Sequence, residues 1–371
     1  MPSIQLAYRG LCTRVQSPEA AELAWLEEFL APAFVRDDRA PSDCHVVVGD
    51  DADRLAALRA GAGHNPSQAV CLVLDGGPVR LPTWEDGDRR VVLHDEARLA
   101  YVIAADRRHI EVVSAPANDA RRTALMKLVR ELAMSAAWSP RSLVLHAAAF
   151  VVGRQAILIA GPKRAGKSSL LLHALGAAGA RLLANDRVVL ALGPRRAIAH
   201  GMPTIVNLRP DTVAARFADA AARRAAYRHR FHLTLAETEQ RKPVADLTPR
   251  PLTCSPAQLG RLLGVDLVGS AAAAVLLLPR VDAAANGIAL RRLDDDEAAR
   301  RLPDALFAAT HTPLEISDVF ALPEHSQAPS DAELQRLWRD CVARLRVFDC
   351  RLGPDAYATD ATRALVAPIL A

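Results

Sequence analysis

Lysine is almost absent from this chain of 371 residues: four occur, at positions 127, 163, 167 and 242, against 42 arginines. A dominant charge is absent too. The net charge is +4, no basis for a dedicated nucleic-acid binder, which carries a strongly basic balance or patch. None of the six cysteines, Cys12, Cys44, Cys71, Cys254, Cys341 and Cys350, forms a Cys-x-x-Cys pair, and no histidine cluster sits beside them. That argues against a zinc site and for buried free thiols in a reducing cytosol. Long hydrophobic runs are missing: the longest uncharged apolar stretch, Leu267–Pro279, is too short to cross a bilayer. The opening residues Met1-Pro2-Ser3-Ile4-Gln5 hold no apolar segment of a signal peptide. These absences predict a cytoplasmic protein with no membrane partner.

The length allows two domains and a large core. Residues 1–118 read as a small α+β domain, suited to docking or presenting a substrate. Ser17-Pro18-Glu19 looks like a helix start with proline in the first turn, and Leu23, Leu26, Phe29 and Leu30 recur at helical spacing. Strand-like runs follow at His45–Val48, Val70–Leu74, Val91–Leu93, Leu99–Ala104 and His109–Val113. A second domain, 119–371, begins with a helix over Asp119–Trp138, whose stripe of Leu125, Leu128, Val129 and Leu132 is core packing. Apolar strands are predicted over Val144–Val152 and Ala156–Ala160, with a turn at Gly153-Arg154 between them. A helix over Lys167–Ala178, stopped by Gly179, precedes strands at Arg181–Ala184 and Val188–Leu192. Ala221–Lys242 is basic and His-rich and Pro243–Pro256 is proline-rich, together suggesting a mobile surface loop. Tyr227 and Phe231 alone interleave the basic residues, too few aromatics for base stacking. Ala271–Leu278 reads as a core strand. Ser330-Asp331-Ala332-Glu333 fits a capping box opening an amphipathic C-terminal helix through Leu334, Leu337, Trp338, Cys341 and Leu345. Asp294-Asp295-Asp296-Glu297 reads as a charged helix start rather than a metal site.

Between the second strand and its helix lies Gly161-Pro162-Lys163-Arg164-Ala165-Gly166-Lys167-Ser168, a match to G-x-x-x-x-G-K-S. Glycines let the backbone turn so that successive N–H groups face phosphates. The helix that follows directs its positive end at the same anion. Lys167 reaches the β and γ phosphates and the Ser168 hydroxyl ligates Mg²⁺. With lysine this scarce, roughly one sequence per thousand of this composition would match by chance.

Asp186 follows the loop at the carboxyl end of the next strand, the edge where open α/β sheets bind ligands. A carboxylate there can hold Mg²⁺ or accept a proton from an attacking hydroxyl. His146 lies in an apolar strand before the loop, where a lone histidine is more often a satisfied core residue.

The stretch Leu145-His146-Ala147, then Gly161–Ser169, then Leu183-Ala184-Asn185-Asp186-Arg187-Val188 resembles the HPr kinase/phosphorylase superfamily, including its serine-kinase and peptide-modifying branches. The resemblance covers roughly residues 140–215. It implies a P-loop domain built on a mixed sheet. Asp186 matches the catalytic aspartate and His146 the active-site histidine, with Ser169 beside the nucleotide and Arg209 near the phosphates or acceptor. Members are often homo-oligomers. Three features depart from the pattern: Ser169 stands where the family has glutamate, Asn185 replaces the first aspartate of a pair, and a later Glu-x-Arg-Gly-x-Gly signature is not visible. These departures speak against HPr as substrate and against a phosphorylase activity.

The expected fold is therefore α/β: an HPr-kinase-like P-loop domain preceded by a smaller α+β domain. The expected function is transfer of the γ-phosphoryl group of ATP, with Mg²⁺, to a hydroxyl of a peptide, a protein or a small metabolite. The alternative is a nucleotide-binding regulatory or scaffold protein that transfers nothing. A nucleic-acid-associated ATPase fits less well, because its two phosphate elements are normally far more widely spaced than Gly161 and Asp186.

Overall fold

The computed structural model describes residues 1–63, 66–74, 77–116, 118–137, 141–216, 250–301, 319–320, 322, 330–358 and 360–370. The basic segment 221–242, the proline-rich residues up to 249 and Trp138 lie outside the described residues. The fold is mixed α/β, in two compact units: Met1–Trp138 with His311–Ala328, and Ser139–Thr310 with Pro329–Ala371.

In the first unit nine strands form one sheet: β1 (Ser3–Tyr8), β2 (Leu11–Gln16), β3 (Val35–Arg36), β4 (Cys44–Asp50), β5 (Ser67–Leu74), β6 (Gly77–Asp86), β7 (Arg89–His94), β8 (Leu99–Ala104) and β9 (His109–Ser114). Their order is β3-β1-β2-β4-β9-β8-β7-β6-β5. The helices are α1 (Ala20–Leu30), α2 (Ala52–Gly61) and α3 (Asp119–Ala137). Leu23, Leu26, Phe29 and Leu30 are buried, as their spacing predicts. The start of α1 differs from expectation. Glu19 is the cap residue, while Ser17 Oγ accepts from the Glu19 N–H at 3.1 Å and donates to Glu22 Oε2 at 2.6 Å. The sequence grouped α3 with the second domain, but it belongs to the first unit. Arg121, only 1% exposed, donates to Glu22 at 2.9 Å and to Glu19 at 2.8 Å, and also bonds Asp50.

The second unit contains β10 (Ser142–Val152), β11 (Gln155–Ala160), β12 (Arg181–Ala184), β13 (Arg187–Leu192), β14 (Ala197–Met202), β15 (Val206–Leu208), β16 (Leu252–Cys254), β17 (Ser270–Val281), β18 (Ile288–Arg292) and β19 (Arg346–Leu352). Its helices are α4 (Lys167–Ala174), α5 (Pro210–Arg216), α6 (Pro256–Leu263), α7 (Asp295–Ala299) and α8 (Asp331–Val342), followed by a π-helical turn, Thr362–Val366, and α9 (Ala367–Leu370). Eight strands form a mixed sheet along β11-β10-β13-β14-β17-β19-β18, with β12 on β10. β11 also pairs β17 in parallel, so the pairings of β10, β11, β13, β14 and β17 close into a circuit. Ile157 and Ile159 of β11 join the core shared with α4, while Ala156, Leu158 and Ala160 join the core of Leu337 and Trp338 on α8. Burial on both faces is why this strand reads as an unbroken apolar run.

Three boundaries move. α4 ends at Ala174, because Gly176 and Ala177 tighten onto His173 and Ala174 through i−3 bonds before Gly179 (φ +72°) is reached. α8 has its capping box, yet it stops at Val342, and β19 follows it, so it is not C-terminal. The end of the proline-rich stretch is not loop. β16 pairs β15 and is buried, and Ser255 caps α6 with Pro256 in its first turn. Cys12, Cys44, Cys254, Cys341 and Cys350 are buried, and none of them is in a disulfide. No helix among the described residues is long and apolar enough to cross a membrane.

Candidate active site

β11 delivers the chain to the edge of the second unit's sheet at Ala160. Gly161 turns it there, with Ala165 buried inside the bend. Arg164 (φ 68°) and Gly166 (φ 96°) both adopt the left-handed conformation. The left-handed φ calls for glycine at 166, and a Cβ there would also lie 2.8 Å from Leu352 Cδ1, the movable end of a side chain. α4 starts at the next residue, and no side chain caps it. Its first N–H groups therefore remain as donors for an anion.

Lys167 folds back over the loop and donates to Gly161 O at 2.7 Å and to Pro162 O at 3.0 Å. Burial draws its pKa below 10.5, and Asp186 opposes that shift. The two groups thus feel each other across the site.

Asp186 sits in the turn between β12 and β13. The pairing of β10 with β13 sets His146 opposite Arg187. Nε2 of His146 lies 3.2 Å from Asp186 Oδ1, and Nε of Arg187 lies 3.7 Å from Asp186 Oδ2. Burial alone would raise the Asp186 pKa. The His146 hydrogen bond and charge, then Arg187 and Lys167, outweigh it and bring the carboxyl down to about 2. Its side chain is 40% exposed and that of His146 33%, so both can be reached from solvent.

Ser168 and Asp186 border one cavity of about 100 Å³ with Asn185, Asn207 and the apolar side chains of Leu171 and Ile205. Asn185 donates through Nδ2 to Thr204 Oγ1 at 2.8 Å, while its buried Oδ1 has no hydrogen-bond partner. The Ser168 hydroxyl, the Asp186 carboxylate and this carbonyl oxygen are hard donors of the kind Mg²⁺ takes. Among the described residues no group of three or more His, Cys, Asp or Glu could hold a metal.

The fold thus brings together Lys167, Ser168, Asp186 and His146. Pro162, Lys163 and Arg164 form the exposed tip of the loop. Ser169 hydrogen-bonds Tyr357. Arg209, 62% exposed, lies 3.3 Å from Asp211 at the start of α5. Asp294 caps α7 through the Glu297 N–H at 2.7 Å, so the acidic run is a helix start. Sequence reasoning assigned no role to Asn185, although its place beside Asp186 at a strand end was a usable signal. Tyr357 carried none, because only tertiary packing sets it next to Ser169. Neither a protein-family model nor a curated protein sequence matches the chain.

Proposed function

We propose that this chain is an ATP- and Mg²⁺-dependent phosphotransferase with an HPr-kinase-like P-loop domain. It passes the γ-phosphoryl group to a hydroxyl, that of a serine in a peptide or protein or of a small metabolite. The observation that carries this reading is the joining of an uncapped α4 and Lys167 to an ionised, His146-bonded Asp186 at one sheet edge.

In this reading the amides of Gly161–Ser168 and the Lys167 ammonium hold the polyphosphate. Lys167 exchanges its two loop carbonyls for phosphate oxygens, gaining charge-assisted bonds. The Ser168 hydroxyl and Asp186, with Asn185 beside them, would hold Mg²⁺, which when bound neutralises charge on the β and γ phosphates. Asp186 also orients the acceptor hydroxyl and takes its proton. A carboxyl this acidic is a weak base, which suits a loose transition state in which the proton leaves late and positioning dominates. His146 fixes the carboxylate.

The test is incubation of the full chain with labelled ATP, Mg²⁺ and candidate serine peptides or hydroxylated metabolites. Label transfer is expected, and Asp186→Asn should lower it about a hundredfold or more while nucleotide still binds. Undiminished transfer by Asp186→Asn would remove the assigned base. The second reading is a nucleotide-dependent regulator. It draws support from Ser169, which stands where the resembled family has glutamate and is taken up by Tyr357. Nucleotide binding without transfer to any acceptor would favour it.

A further inference from the structure

On the other side of α4 lies a second cavity of about 500 Å³, within the range of small-molecule sites. Three stretches distant in sequence wall it: Ser169 and His173 from α4, Asp211 and Arg216 from α5, and Tyr357 and Asp360 from the C-terminal segment. It adjoins the phosphate loop directly. Ser169 follows Ser168, its side chain bonds Tyr357, and the Tyr357 hydroxyl is 3.4 Å from where a Cβ on Gly166 would stand. A molecule with its phosphates on the loop amides can therefore extend past Tyr357 into this space.

The walls have a specific chemistry. The His173 and Tyr357 rings meet edge to face, with centroids 5.7 Å apart and planes at 66°. Tyr357 is 37% exposed, one of only four tyrosines in the chain, and its ring borders the cavity. Nε2 of His173 is closed off from solvent and has no hydrogen-bond partner. Burial first, and Arg216 second, hold this imidazole below 6.5, so it is neutral at physiological pH. Asp360, whose Oδ1 accepts from the Arg363 amide at 2.8 Å, adds a carboxylate on the same wall. A flat aromatic face, a neutral imidazole ring beside it and a carboxylate for hydroxyls suit a heteroaromatic base joined to a sugar.

We propose that this cavity is the nucleoside subsite. Tyr357 stacks on the base beside the His173 ring, and Asp360 accepts from the ribose hydroxyls of the nucleotide whose phosphates lie on Gly161–Ser168. The inference rests on the phosphate-loop reading and adds which part of the fold recognises the rest of the molecule.

Calorimetry on the full chain with Mg²⁺ separates the two, using inorganic tripolyphosphate, ATP and GTP as probes. ATP or GTP should bind at least tenfold more tightly than tripolyphosphate. Tyr357→Ala should lower nucleotide affinity roughly tenfold, the scale of one base–aromatic stack, and His173→Ala should lower it as well. Both variants should bind tripolyphosphate as the unaltered chain does, which also reports that they are folded, and Tyr357→Phe should keep most of the nucleotide affinity. Equal affinity for tripolyphosphate and both nucleotides, or full nucleotide affinity in Tyr357→Ala, would overturn the subsite and leave the loop standing. If tripolyphosphate does not bind at all, the loop reading falls, and the subsite with it.

Discussion

Lys167 shows how one side chain can be read twice. In a chain that uses arginine almost everywhere, its identity already pointed to a phosphate. Its geometry adds that it rests on the Gly161 and Pro162 carbonyls of the same loop. Lys167→Ala should weaken Mg-nucleotide binding about tenfold or more, the worth of a hydrogen bond to a charged group, with the melting temperature of the free protein unchanged; calorimetry and thermal denaturation read the two. Asp186 is the other decisive residue. Its folded pKa of about 2 lies below the ordinary 3.8. The ionised carboxylate therefore adds stability in full above pH 3.8, and that stability is lost as pH falls through about 2. Its partial exposure keeps the contribution small. His146→Ala removes the largest lowering influence and leaves burial opposed only by Arg187 and Lys167. The Asp186 carboxyl should then titrate at higher pH than in the unaltered chain, read by carbon-13 NMR of the side chain. An unmoved titration would mean that His146 does not hold it.

Among the elements, the ones that position the site are β10, β11 and α4. Apolar runs announced both strands, and the loop motif announced where α4 begins. What periodicity could not give is register. The pairing that sets His146 opposite Arg187 is what turns two separate candidates into a pair, and a slip of one residue would turn His146 to the opposite face. α6 teaches a different lesson. Ser255-Pro256-Ala257-Gln258 has the residues of a capping box with proline in the first turn, but the prolines upstream made the whole stretch look like loop. In the structure Gln258 N donates to Ser255 Oγ at 3.0 Å and Ser255 N to Gln258 Oε1 at 2.8 Å. Ser255→Ala should cost about 1 kcal/mol in urea denaturation, with Mg-nucleotide affinity unchanged.

For the molecule as a whole, binding and stability are linked. If the second unit holds Mg-nucleotide, ligand at about a hundred times its Kd should stabilise the folded chain by about 2.7 kcal/mol. Thermal denaturation with ATP and Mg²⁺ should show the rise, chelation with EDTA should remove most of it, and Lys167→Ala should blunt it. No shift at saturating ligand would count against the site. The sequence by itself determined the mixed α/β character, about half of the strands, the Gly161–Ser168 motif and the residue types around it. These depend on local periodicity, turn chemistry and an eight-residue motif, all confined to near neighbours in the chain. Only the tertiary structure decided that α3 belongs with the first unit through Arg121, that Asp186 and His146 meet, that Asn185 keeps an unmatched oxygen, and that Tyr357 stands beside Ser169. Those contacts join residues tens to nearly two hundred positions apart, and no local pattern encodes which distant side chain will fill a given space.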